Sequence, residues 1–318
     1  TLLFDIQNMR WSDEMCALFN VPMSALPEVR PSSGRFGVTT ADLPIPSGVP
    51  VSGIAGDQQA ALFGQACFAP GQAKNTYGTG SFVLMNVGNT CPAPVEGLLT
   101  TVAWTLDDGD WKTTYAYEGA IFVTGAAIQW LRDGLGIIRE SSEVDALASR
   151  VESAGELMLV PAFTGWGSPH WDPNARGLLI GMTRDTAAPQ IARAALEGIA
   201  LAVTGLLRGA AEALGAPLNT IAVDGGAAAS AVLLQAQADS AGVQVVRPAN
   251  LESTALGVAL MAGEGAGVLS DLGPIATAIR ASSTQVSPQR DASERERWCR
   301  RWDQAVDRCL QWHGDGSL

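Results

Sequence analysis

Apolar runs broken by small-residue turns dominate the chain. "VPVSGIA" (49–55) alternates as a short strand, and "DQQAALFGQ" (57–65) follows with helical spacing. "KNTYGTGSFVLMNVG" (74–88) predicts two strands around a Gly-x-Gly turn, and "TTVAWTLDDGDWKTTYAYEG" (100–119) a second hairpin with "DDGD" at its turn. "TGAAIQWLRDGLG" (124–136) reads as a helix opened by Thr124 and closed by Gly134 or Gly136, and "ELMLVPAF" (156–163) as a buried strand. A long helix follows over 189–215, with Pro189 at its start and Gly215 past its end. Its Leu196, Ile199, Val203, Leu206 and Leu207 recur at the helical period. "NTIAVDGG" (219–226) and "VQVVRP" (243–248) predict strands, each followed by a helix, "AAASAVLLQAQADSAG" (227–242) and "ESTALGVALMAGEGAG" (252–267). Residues 10–20 predict a short helix, residues 21–50 an extended loop, and "ASSTQVSPQRDAS" (281–293) a polar linker. A last helix carries Trp298, Trp302, Val306 and Leu310 on one stripe, expected to pack onto the domain. Hairpins followed by alternating strands and helices predict an α/β fold with a mixed sheet.

Length and charge narrow the partners. The 318 residues, 47% hydrophobic, suffice for one large or two smaller domains. A net charge of −12 argues against non-specific nucleic-acid binding. No apolar run reads as a membrane span and the start shows no signal-peptide pattern. Cys16, Cys67, Cys91, Cys299 and Cys309 are scattered and odd in number, which suits free thiols in a reducing cytoplasm. His170 and His313 cannot build a histidine-rich metal site. No serine elbow accompanies His170, so "GWGSPHWDP" reads as a packed loop and not a hydrolase site.

Candidate chemistry lies in three glycine turns and one acid. "GIAGDQQ", "TYGTGSF" and "AVDGGAAAS" each leave an apolar strand through small residues. Glycine admits φ > 0 and close approach of a ligand, and exposed N–H groups in such turns can hold phosphate oxygens. Each is also compatible with a plain tight turn. There is no P-loop, and "GTGSFV" lacks the third glycine of a dinucleotide fingerprint. Asp57 is the one charge in "VSGIAGDQQAALFGQ". It reads as a helix N-cap, as a general base at a strand end, or as both.

Taken together, "SGIAGDQQAALFGQACFAPGQAKNTYGTGSFVLMNVG", "GAAIQWLRD", "VPAFTGWGSPHWDPNARG", "GLLIGMTRDTAAPQIARAALE" and "VDGGAAAS" resemble the FGGY family of carbohydrate kinases, in its glycerol branch. The resemblance spans nearly the whole chain. It implies an actin-like (ribonuclease H-like) ATPase fold, with glycerol and ATP in a cleft between two domains and Mg²⁺ on the phosphates. The implied reaction gives ADP and sn-glycerol 3-phosphate in glycerol catabolism. Asp57 would be the base, with Gln58 and Phe82 against glycerol. Gly78, Thr79 and Gly125 would lie along the ATP phosphates, Gln129 on the nucleotide and Gly226 beside the adenosine. Ser230 stands where the family usually has asparagine, and could make only a shorter nucleotide contact. Such chemistry rests mainly on positioning and charge. A base facing anionic ATP is expected to stand apart from lysines, which would pair with it.

The same resemblance places the family's first phosphate loop, and the Arg, Glu, Trp and Tyr that hold glycerol, before Thr1. The chain is therefore expected to be truncated, with 1–66 the remnant of the first domain and 67–318 the second, nucleotide-binding domain. Alone it is expected to phosphorylate little glycerol. A kinase of another polyol or sugar, and a catalytically incompetent nucleotide-binding fragment, are the alternatives. A homo-oligomer is compatible with either.

Overall fold

The computed structural model describes residues 1–107 and 110–312. His313 and the middle of the "DDGD" turn lie outside the described residues.

The chain opens with β1 (Phe4–Asp5), β2 (Arg10–Trp11) and α1 (Asp13–Leu18), the last capped by Ser12 Oγ, which accepts the Met15 N–H. A hairpin, β3 (Ser33–Val38) and β4 (Pro50–Gly53), leads into α2 (Asp57–Gly64). Then come β5 (Gln72–Tyr77), β6 (Ser81–Gly88), β7 (Leu99–Asp107), β8 (Trp111–Ile121), α3 (Gly125–Asp133), α4 (Val144–Ala148), β9 (Met158–Val160) and β10 (Leu178–Ile180). The rest is α5 (Ala188–Leu214), β11 (Thr220–Asp224), α6 (Ala231–Ala241), β12 (Gln244–Arg247), α7 (Ser253–Gly265), α8 (Gly273–Ala281), β13 (Thr284–Val286) and α9 (Ala292–Cys309).

Seven strands form one mixed sheet in the order β13-β12-β11-β5-β6-β8-β7. Within it β5, β11 and β12 run parallel, with Asp224 opposite Thr76, and the other pairs are antiparallel. Side chains alternate between the two faces. One face packs on α5 and α6, and the other packs on α2 and α7 through Leu62, Phe63, Leu84 and Met261. α5 is long and apolar enough to cross a membrane, with mean hydropathy 1.4, yet 78% of that window is buried inside the domain. It is a core helix here, ending on Gly215 at φ 66°. Trp298 and Trp302 of α9 are buried against the same core, as the apolar stripe predicts.

Two expectations need correction. The Pro- and Ser-rich stretch before residue 50 contains β3, which pairs with β4 through a bulge. The polar linker contains β13, an edge strand on β12. Apart from the buried but polar Ser33, both strands are exposed or half-buried, so neither carries the apolar alternation that marks a strand in sequence.

Candidate active site

The parallel strands β5 and β11 end side by side, and each runs into a glycine turn. Ligands bind α/β sheets at such carboxyl ends. A cavity of about 590 Å³ opens there. Its walls hold Gly78 and Thr79 from the β5–β6 turn, Gly125 and Gln129 from α3, and Gly226 and Ser230 from the loop after β11. All six expected nucleotide residues therefore share one cavity of a size suited to a small-molecule site.

The turn and helix are tied together. The N–H of Gly125 donates to Gly78 O (3.0 Å), and those of Thr124 and Ala126 donate to Thr79 O (2.9 and 3.1 Å). The N-terminus of α3 thus spends its first amides on the hairpin. Among the described residues the backbone N–H groups of Thr79 and Gly226, both exposed on the cavity wall, make no hydrogen bond within the fold. Gly80, the second glycine of this turn, does not line the cavity. A Cβ there would lie 2.4 Å from Ile121 O, so its role is close packing on the end of β8.

Ser230 sits on the cavity wall with its hydroxyl already engaged. Oγ accepts the Leu233 N–H (3.0 Å) and donates to Asp145, whose other oxygen takes the Ala231 N–H (2.7 Å). Ser230 is the N-cap of α6. Loss of such a cap costs about 0.5–2 kcal/mol, so Ser230→Ala is expected to lower stability by that amount in urea unfolding. Asp145 was not legible in the sequence as part of this wall. It lies on α4, a helix of five residues too short to announce itself by periodicity.

Asp57 is exposed at the first position of α2, not at the N-cap, which is Gly56. Its Oδ1 accepts the N–H of Gln58 (2.9 Å), and α7 holds its carbonyl through Thr254 Oγ1 (3.3 Å). A carboxylate in the first turn is favoured by the helix dipole. The expectation that this acid stands apart from lysines is corrected. β5 brings the buried Lys74 under α2, where its Nζ donates to Gln58 Oε1 and to the carbonyl of Phe82 (3.2 Å). The Phe82 ring is 43% exposed on β6. One hairpin thus separates the two groups: its turn lines the cavity, and its sheet face supports Gln58 and Asp57.

Asp224, at the end of β11, is buried at 3% exposure. Its Oδ2 takes hydrogen bonds from Gln65 Nε2 (2.9 Å) and Ser253 Oγ, which ties β11 to α2 and α7. Among the described residues no group of three or more His, Cys, Asp or Glu side chains could hold a metal ion, and the five cysteines are unpaired.

Comparison with known proteins supplies the family. Residues 73–266 match the C-terminal domain of the FGGY family of carbohydrate kinases, and residues 1–64 its N-terminal domain. The chain is 48% identical over 308 residues to the glycerol kinase of Myxococcus xanthus, covering 97% of this chain and 62% of that protein. It is 50% identical over 313 residues to that of Bordetella parapertussis, covering 98% and 61%. The chain thus spans about three-fifths of the length of these relatives. The Plasmodium falciparum glycerol kinase solved with ADP superposes with a TM-score of 0.91 at 34% identity, covering 98% of this chain and 62% of that one. A xylulose kinase from Brucella ovis shares the fold, with a TM-score of 0.78 at 22% identity. The sheet and its flanking helices are the actin-like ATPase fold of these kinases. With both of its domain models matched in chain order, the protein belongs to the FGGY family of carbohydrate kinases.

Proposed function

We propose that this chain belongs to an enzyme that phosphorylates glycerol with MgATP, giving ADP and sn-glycerol 3-phosphate. The observation that carries the reading is the gathering of Gly78, Thr79, Gly125, Gln129, Gly226 and Ser230 around one cavity, with Asp57 and Gln58 braced against the same hairpin. The near-50% identity to glycerol kinases supports the substrate. In this reading residues 1–66 belong to the substrate domain and 67–318 to the nucleotide-binding domain.

The nucleotide fits the cavity in volume and in its free backbone donors at Thr79 and Gly226. Mg²⁺ enters with ATP as part of the substrate and offsets the charge of its phosphates. Glycerol rests its carbons on Phe82 and a hydroxyl on Gln58. Asp57 accepts the proton of the attacking hydroxyl as its oxygen bonds to the γ-phosphorus and the bond to the β-γ bridging oxygen breaks. Cavity amides hold the phosphate oxygens in place while charge moves onto ADP, which is how phosphoryl transfer gains most of its rate. Ser230 contributes to the nucleotide wall mainly by holding α6.

The test is ADP release by the purified gene product that carries this chain. Release is expected with glycerol, and at least tenfold less with xylulose or gluconate at equal concentration. Equal or faster turnover of either sugar substrate would overturn the assignment of glycerol.

A further inference from the structure

Lys74 is a buried cation beside the proposed base, and the reaction as written does not use it. The chain has 18 arginines and only 2 lysines, so a lysine at this position departs from its general usage. The two cations differ: an ammonium is a compact donor that loses its proton readily when buried, and a guanidinium is neither. The residue has no exposed surface. Its Nζ donates to Gln58 Oε1, to Thr76 Oγ1 (3.1 Å) and to Phe82 O (3.2 Å), so three donors meet three acceptors. The charged and titratable groups that face it are Asp224 from β11, Glu118 from β8, Asp57 from α2 and the Cys67 thiol.

The consequence falls on Gln58. A side-chain amide has one accepting end and one donating end. Lys74 occupies the accepting end, which turns the NH₂ end towards Asp57 Oδ2, 3.4 Å away. We propose that Lys74 is a positioning residue: its ammonium locks the Gln58 amide so that the NH₂ end holds the Asp57 carboxylate and a substrate hydroxyl oxygen together. This rests on the glycerol-phosphorylation reading above. Without the ammonium the amide can flip, and its oxygen then repels the carboxylate it should hold.

Burial lowers the Lys74 pKa to about 8, against the opposing pull of Asp224, Glu118 and Asp57. The ammonium is present below that pH and is lost as pH rises through it, so the lock opens on the alkaline side.

The experiment compares the parent gene product with Lys74→Met, Gln58→Leu and the double variant between pH 6 and 10. Lysine labelled with ¹³C at Cε reports the Lys74 titration, assigned by the signal missing from Lys74→Met. The parent is expected to lose kcat/KM for glycerol on the alkaline side, with a midpoint matching the NMR titration. Lys74→Met, checked for folding by its thermal transition, is expected to lose about 100-fold in kcat/KM at pH 7 with unchanged nucleotide affinity, since small misplacement of a reacting group costs that much. The double variant is expected to lose no more than Gln58→Leu alone. A parent that does not phosphorylate glycerol overturns the reaction assigned above. An active parent whose folded Lys74→Met variant keeps its kcat/KM, or whose losses add in the double variant, overturns the role of Lys74. Should the variants not fold, a parent whose rate profile and NMR titration have different midpoints overturns it as well.

Discussion

Replacing Asp57 by asparagine is expected to lower kcat for glycerol phosphorylation about 10²–10⁴-fold, the usual loss when a general base is removed. The amide has nearly the shape of the carboxylate but cannot accept the hydroxyl proton. Fold and nucleotide affinity are expected to stay. Asp57 is exposed at the first position of α2, and its one side-chain acceptor bond to the backbone, from the Gln58 N–H, can be taken over by the amide oxygen. It does not line the cavity assigned to the nucleotide. The measurement is a paired one: steady-state kcat with glycerol, and ADP titration by calorimetry, on the parent and on Asp57→Asn. A variant that turns over at the parental rate removes Asp57 from the role of base. A variant that also loses ADP binding shows that Asp57 supports the cavity itself.

Much of this was legible from residue patterns, and the parts that were not share a physical cause. The hairpin around "NTYGTG", the core helix Ala188–Leu214 and the "VDGG" turn show in sequence because periodicity and glycine mark them locally. Two of the three glycine turns, those at Gly78 and Gly226, line the cavity, whereas Gly125, Gln129 and Ser230 were pointed to by the family resemblance alone. Contacts made across the sheet leave no such local mark. Lys74 stands 17 positions after Asp57 in the chain, and only the packing of α2 on β5 brings them together. Asp145 reaches Ser230 across 85 residues, and Gln65 reaches Asp224 across 159. A hint was present at Lys74, an isolated lysine in an arginine-rich chain, but its neighbours had to be seen. β13 was missed for another reason: an edge strand of three residues needs no apolar face.

The two glycines that follow Asp224 are expected to fail in opposite ways when given a methyl group. Gly225 holds φ 85° and ψ 171°, a backbone conformation that is essentially open to glycine alone and costs an ordinary residue about 1–3 kcal/mol. Its Cβ would also lie 2.4 Å from Tyr77 O and 2.7 Å from Tyr77 C, on the backbone of the neighbouring strand. Backbone cannot swing aside as a flexible side chain can, so β5 and β11 would have to part where their ends frame the cavity. Gly225→Ala is therefore expected to lower unfolding stability by more than about 3 kcal/mol, strain and clash combined, and to reduce nucleotide binding with it. Gly226 has an ordinary φ, and a Cβ there meets nothing within 4 Å. Yet Gly226 lines the cavity, so that open space is where the nucleotide is proposed to lie. Gly226→Ala is expected to change stability by less than about 0.5 kcal/mol, as for substitutions that touch no packed feature, and to weaken ADP binding at least tenfold. Urea unfolding and ADP calorimetry on both variants separate the two effects. A Gly226→Ala variant that binds ADP as the parent does would move the nucleotide away from this turn. A Gly225→Ala variant as stable as the parent would show that β5 and β11 can part without cost.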